Sequence, residues 1–241
     1  MKLSLKLHEL TSKQQRIINS QSDHLIIEGP AGTAKTYTAV ARGLRLYNQG
    51  DVDRILVIRS PVEIRKIGYL PGDHAEKVDV YAAPYIDMIN TISVKHNYRA
   101  LLNQGIVDFQ PTSYLRGQTF DDTYIIADEF QNFSAHEFET IITRVGVNSH
   151  LIVVGDEWGQ SDLERHEYGQ FRMVLDTLRR MEEFEEHNFD TDDILRSGLV
   201  KSYYEARGAG AQGSPVRSVQ PLPDSTGARS PSYEVLERQS A

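Results

Sequence analysis

Four short apolar runs bounded by turn residues mark the chain: Leu25-Ile26-Ile27, Ile55-Leu56-Val57-Ile58, Tyr124-Ile125-Ile126-Ala127 and Leu151-Ile152-Val153-Val154. Runs of this length without polar alternation predict strands buried on both faces, as in a parallel sheet covered by helices. Stretches of helical length fall between them. Thr11 offers a hydroxyl cap for a helix through about Ser20, and Tyr37 to Gln49 reads as a helix that Gly50 ends. Ala75 to about Leu102 reads as largely helical with an interruption at Pro84, and Ser134 caps a helix from Ala135 to Arg144. Two weaker strands are expected at Ile106–Phe109 and Tyr114-Leu115. From Tyr168 to about His187 the spacing of Phe171, Val174, Leu175, Leu178 and Met181 predicts one charged amphipathic helix with Glu182–Glu186 as its solvated face. A last helix spans Leu199 to Ala206. From Gly208 the composition turns to Gly, Ser and Pro, which predicts a domain over 1–207 and a disordered tail over 208–241. The alternation of strands and helices gives an α/β class with a mostly parallel sheet.

Composition narrows the picture without changing it. A chain of 241 residues, 39% hydrophobic and 25% charged, suits one globular domain with a full core. The absence of cysteine excludes disulfides and thiolate metal sites, so any metal must be held by oxygen or histidine. No stretch has the length of a signal peptide's apolar region or of a membrane span, and a cytoplasmic protein is expected. The net charge of −8 is concentrated: Asp156 to Asp193 hold thirteen acidic and four basic residues. Elsewhere the chain is about neutral, and Arg42 to Lys66 carry six basic residues against three acidic.

The first apolar run leads into Gly29-Pro30-Ala31-Gly32-Thr33-Ala34-Lys35-Thr36, the phosphate-loop pattern G-x-x-x-x-G-K-[ST] with Ala34 at the second glycine. Small residues let successive backbone N–H groups surround the α- and β-phosphates, and the following helix adds its positive end. Lys35 is then expected over the β- and γ-phosphates, with the Thr36 hydroxyl on Mg²⁺. A glycine-rich turn that merely starts a helix is the plainer alternative.

The run ending in Asp128-Glu129 places two carboxylates at a strand end, where the first can hold Mg²⁺ and the second can orient an attacking water. Alone, such a pair is also a common surface turn. Beyond Gly155-Asp156, Gln160 can sense a γ-phosphate through a hydrogen bond, or sit in a polar loop. Arg59 to Asp73 form a Pro- and Gly-rich basic segment after the second strand, on the sheet edge that also carries the phosphate loop. Contact with a nucleic-acid backbone and an ordinary solvated loop both remain open. Lys95, His96 and Arg99 beside Tyr98 are consistent with a base-stacking surface or with a helix face.

Together these segments resemble the PhoH family of P-loop ATPases, whose single domain is related to the first domain of superfamily 1 helicases. The resemblance covers about Leu10 to Ala206. It rests on GPAGTAKT at Gly29–Thr36, YLPGDHAEK at Tyr69–Lys77, YLRGQTF at Tyr114–Phe120, IIADEFQN at Ile125–Asn132, TRVG at Thr143–Gly146, VVGDEWGQSDL at Val153–Leu163 and DILRSGLV at Asp193–Val200. Three departures stand out: Ala34 for glycine, Phe130 where D-E-A-Q-N has alanine, and one extra residue in G-D-x-x-Q, which Gly159 can absorb as a bulge.

The resemblance implies a RecA-like domain that binds ATP and Mg²⁺ and couples hydrolysis to single-stranded RNA or DNA. Lys35 would clamp phosphate, Thr36 and Asp128 would hold Mg²⁺, Glu129 would activate water and Gln160 would sense the γ-phosphate. Leu10-x-x-x-Gln14 resembles the adenine-recognition segment of the helicases, with Gln15 as competitor and a simple helix cap as the alternative. Some 200 residues make one such domain and not two, so the arginine that helicases take from a second domain must come from a neighbour. That predicts a homo-oligomer, a ring such as a hexamer, with Arg196 or Arg144 acting in trans and Arg116 third, each otherwise a salt-bridged surface residue. Short forms of this kind are encoded by bacteriophages. Two rivals remain: a small-molecule kinase, and a nucleotide-binding module with little turnover, for which Ala34 speaks.

Overall fold

The apolar runs pair side by side because a strand apolar on both faces needs cover above and below. In a computed structural model, which describes residues 2–7, 9–60, 74–94, 97–157, 161, 163, 165–196 and 198–211, six strands form one sheet. They are β1 (His24–Glu28), β2 (Arg54–Arg59), β3 (Val107–Pro111), β4 (Thr123–Asp128), β5 (His150–Gly155) and β6 (Phe184–Asn188), in the order β3-β2-β4-β5-β1-β6, each neighbouring pair parallel. Leu25, Ile27, Val57, Tyr124, Ile126, Ile152 and Val154 pack on the side covered by α1 (Ser12–Asn19), α2 (Lys35–Gln49), α3 (His74–Ile92) and α4 (Tyr98–Asn103). Ile26, Leu56, Ile58, Ile125, Ala127, Leu151 and Val153 pack on the side of α5 (Ala135–Ile142) and α6 (Arg165–Leu178). A last helix, α7, spans Gly198–Ala211. Among the described residues no helix is long and apolar enough to cross a membrane.

Parallel pairing puts every strand's carboxyl end on one edge, where the loops after β1, β4 and β5 meet. The order β4-β5-β1 makes those three strands neighbours, so the phosphate loop, Asp128-Glu129 and Asp156 converge.

Three expectations are corrected. The helix expected from Tyr168 to His187 stops at Leu178, and Phe184–Asn188 instead add β6 to the sheet, in register from His24↔Phe184 to Glu28↔Asn188. Phe171, Leu175 and Leu178 complete the buried stripe of α6, after which Met181 and Phe184 pack against the core, Phe184 against the His24 ring at 5.3 Å. Charges suit such an edge, where solvent covers what a neighbouring strand does not. Tyr114-Leu115 are not a strand: Thr112–Tyr114 make a 3₁₀ turn, with the Thr112 hydroxyl donating to Glu137 at 2.7 Å. The long helix from Ala75 is interrupted at Ser93 rather than Pro84, because the N-terminal segment intervenes. Leu5 pairs with Ser93, and the N–H groups of Lys6 and Val94 donate to Ile92 and Ser4. Helix α7 runs through Gly208 to Ala211; the rest of the expected tail, 212–241, lies outside the described residues.

Candidate nucleotide-binding site

The loop after β1 is held from behind by the end of β6. Phe189 N–H donates to Glu28 O at 2.7 Å, and a Cβ on Gly29 would lie 2.5 Å from Phe189 Cβ, so glycine is required there. At the departure from the motif, Ala34 has φ 60° and ψ 34°, the left-handed conformation that a glycine adopts freely. The loop therefore keeps its shape and the alanine carries the strain, which is about 1–2 kcal/mol for a residue with a Cβ. Ala34→Gly is expected to leave nucleotide affinity unchanged and to stabilise the fold by up to about 1 kcal/mol, since glycine's greater unfolded entropy offsets part of the relief. Urea unfolding and nucleotide titration check it; a large loss of affinity would mean that the methyl group itself shapes the site.

Lys35 Nζ donates to Gly29 O at 2.5 Å and Pro30 O at 3.0 Å, curled within its own loop. Burial lowers its pKa, opposed by the carboxylates of Asp156, Glu129 and Asp128 facing it. The Thr36 hydroxyl donates to Asp128 Oδ1 at 3.1 Å, and the Tyr85 hydroxyl of α3 donates to Asp128 Oδ2. Asp128 is pushed up to about 6 by burial and by the charge of Glu129, against the pull of these hydroxyls and of Arg59. Glu129 sits at φ 55°, a strained conformation for a side chain of its size, and turns back toward Gln131, whose Nε2 donates to Glu129 Oε2 at 2.6 Å. Gln131 Oε1 accepts from Asp156 N–H at 3.1 Å, so one buried amide ties the ends of β4 and β5 together. These groups line a cleft of about 760 Å³ with Arg59, Arg196 and Tyr204 on its rim. Thr36 and Asp128 offer it a pair of adjacent oxygens. That donor set fits Mg²⁺, a hard cation that completes its shell with water and phosphate oxygens.

The cleft thus gathers Gly32, Ala34, Lys35, Thr36, Asp128 and Glu129. Gln14 is elsewhere engaged. Its Oε1 accepts from Thr11 N–H at 3.0 Å in a capping box, its Nε2 reaches Thr33 O at 3.5 Å, and it is buried, so Gln14 serves as a helix cap in this structure. Gln160 and most of the basic segment, 61–73, with Lys95 and His96, lie outside the described residues. Three of the six basic residues between Arg42 and Lys66 prove structural. Arg42 is 1% exposed, donates to Ser22 O at 2.7 Å and stacks on Tyr124, Arg45 bonds to Ile18 O, and Arg54 donates to Thr123 Oγ1 at 3.0 Å. Arg59 alone of the described ones reaches the cleft.

The arginine candidates separate. Arg144 precedes β5 and so lies at the amino edge of the sheet, away from its own cleft; its backbone carbonyl accepts from Phe120 N–H and its buried Nε has no hydrogen-bond partner among the described residues. Arg116 meets His136 at 3.1 Å on the surface. Arg196 lies on this chain's own phosphate loop, with no ion pair among the described residues. Tyr85, Gln131 and Tyr204 are site residues that the pattern did not single out; Gln131 stands in the quoted IIADEFQN, while nothing local marks the two tyrosines.

A parallel sheet whose first strand feeds a phosphate loop and whose neighbours supply carboxylates at the same edge defines a RecA-like P-loop nucleotide-binding domain. Among solved structures, the large terminase of a thermophilic bacteriophage shares this fold with a TM-score of 0.52 and 14% identity, over 82% of this chain and 50% of that one. The family is shown by sequence: the model of the family described as PhoH-like protein matches residues 6–207, and the chain belongs to the PhoH-like family. It is 31% identical over 204 residues to a PhoH-like protein of Bacillus subtilis strain 168, covering 84% of this chain and 64% of the relative. It is 36% identical over 179 residues to protein PhoH of Escherichia coli K12, covering 72% and 49%. The chain thus spans about half to just under two thirds of these relatives' lengths.

Proposed function

We propose that this domain binds ATP with Mg²⁺, hydrolyses the γ-phosphate, and couples that step to single-stranded RNA or DNA. The observation that carries the reading is the meeting of Lys35, Thr36, Asp128 and Glu129 in one cleft, from segments far apart in sequence. Lys35 binds phosphate oxygens once it leaves the carbonyls of Gly29 and Pro30. Thr36 and Asp128 would hold the ion, which when bound offsets charge on the phosphates. Glu129, fixed by Gln131, orients a water and accepts its proton as it attacks. Gln160, beyond β5, senses the γ-phosphate. Glu129 favours hydrolysis over transfer to a metabolite, and the glycine-like conformation of Ala34 speaks against a decayed loop.

Support for nucleic-acid coupling comes from connectivity. The basic segment after Arg59 leads directly into α3, and Tyr85 of α3 bonds to Asp128, so a ligand on that segment has a route to the phosphate site. We also propose a homo-oligomeric ring in which Arg144, on the sheet edge opposite the cleft, serves a neighbour's nucleotide. Phosphate release measured with and without single-stranded RNA or DNA tests the main reading. Mg²⁺-dependent release by the wild type is expected, raised by single strands and reduced at least about 100-fold in Lys35→Ala. Equal release by both proteins sinks it.

A further inference from the structure

The segment after β6 returns along the phosphate loop of its own chain. Leu195 N–H donates to Gly32 O at 3.0 Å, and the Tyr204 hydroxyl accepts from Ala31 N–H at 3.4 Å. A Cβ on Gly32 would lie 3.2 Å from Arg196 Cγ and 3.4 Å from its Cδ, so the arginine stem rests on the middle of the loop. The approach is fixed upstream, where Lys13 pairs with Asp190 at 3.0 Å and with Asp193. Leu195, Arg196, Tyr203, Tyr204 and Arg207 form one wall of the cleft. Arg59 and Arg207 on that cleft each have an interaction partner, whereas among the described residues no carboxylate pairs with Arg196.

From this placement we infer that Arg196 acts in cis, contacting the terminal phosphate of the ATP bound by its own chain, with Leu195 and α7 as the strap that holds it there. An unpaired guanidinium at a phosphate loop retains its full charge for phosphate oxygens, and its planar fork suits them. Arg196 lines the same cleft as the carboxylates at the ends of β4 and β5, where hydrolysis takes place in the proposed function, and the inference rests on that reading. The division of labour follows from topology. β6 lies beside β1, so the chain leaving β6 arrives at the loop that leaves β1, and no second subunit is needed to bring this arginine in.

The experiment compares Arg196→Ala, Arg196→Lys and wild type for ATP and ADP affinity by displacement of a fluorescent nucleotide, and for phosphate release. Arg196→Ala is expected to lower ATP affinity about tenfold more than ADP affinity, with Arg196→Lys intermediate, and to slow release about 100-fold. Arg196 is exposed, so the fold is expected to survive, and circular dichroism checks this; if the alanine variant fails to fold, the lysine variant carries the same comparison. Mixing Arg196→Ala with Lys35→Ala is expected to restore nothing, because every intact loop then sits in a chain without the arginine. Restored turnover on mixing, or equal loss of ATP and ADP affinity, overturns the inference. A wild type that releases no phosphate sinks the hydrolase reading instead, and the ATP-to-ADP affinity ratio still decides the role of Arg196.

Discussion

Glu129→Gln is expected to bind ATP as tightly as the wild type and to release phosphate about 10²–10⁴ times more slowly, the usual contribution of a positioned general base. The substitution keeps size and shape, and Gln131, still bonded to Asp156 N–H, can continue to hold the side chain. Asp128 is untouched, with Thr36 and Tyr85 on its two oxygens. Only the ability to accept a proton is removed. Glu129 is also held at φ 55°, a conformation that costs about 1–2 kcal/mol with a Cβ, and strain of this kind persists where the surroundings enforce it. Single-turnover kinetics alongside nucleotide binding provide the check. Wild-type turnover in the variant would assign the proton to another group, and lost binding would make Glu129 a ligand-holding residue rather than a base.

What the sequence disclosed follows from how each element is stabilised. β1, β2, β4 and β5 are covered on both faces, so each is an apolar run visible in one dimension, and the motifs at their ends come into view with them. β6 is an edge strand that draws its stability from backbone pairing with β1 and buries little besides Phe184, so its charges imitate the outer face of a helix. Missing β6 hid the route of the following chain, and with it the return of Arg196 to its own loop. Arg196 was visible as a candidate, but its place beside its own loop follows from strand order. Arg42, Arg45 and Arg54 raise the local basic count as any arginine does, yet their guanidinium groups bond to carbonyls and hydroxyls that only the fold brings near. Gln14 was legible both as a cap and as a base contact because T-x-x-Q and L-x-x-x-Q share it, and only the fold shows its hydrogen bond from Thr11 N–H, the contact of a cap.

The same edge of the sheet holds an ion network whose removal is expected to cost more stability than any other single change considered. Arg179, just past α6, donates to Glu28 at 2.7 Å, Glu157 at 3.1 Å and Glu186 at 2.9 Å, tying the end of β1 to the segment after β5 and to β6. Burial works against the arginine's charge, but its bonds to Glu186 and Glu157 and the field of Glu28 outweigh this and hold its pKa above the ordinary value. Glu28 moves the other way: burial first, then repulsion from Glu157, Glu186 and Asp156, push it up to about 7 despite Arg179. The two shifts agree once Arg179 is seen to be surrounded by Glu28, Glu157, Glu186 and Asp176, a favourable arrangement for the arginine and a crowded one for Glu28. Arg179→Ala leaves the buried Glu28 without a counterion among the described residues, while Glu157 keeps Arg172 at 2.6 Å, and breaking a buried pair this way costs about 3–5 kcal/mol, the lower end applying because Arg179 is partly exposed to water. The loss is expected to depend on pH with a definite sign. With a folded pKa near 7 against an ordinary 4.5, the stability linked to Glu28 is fully present below about 4.5 and lost as pH rises through about 7. At pH 5.5 Glu28 is mostly protonated and needs its arginine least; at pH 8 it is ionised and needs it most. Urea midpoints of Arg179→Ala at those two pH values should therefore separate further from wild type at pH 8, and Glu28→Gln added to Arg179→Ala should recover part of the gap there. A penalty equal at both pH values would remove Glu28 as its cause.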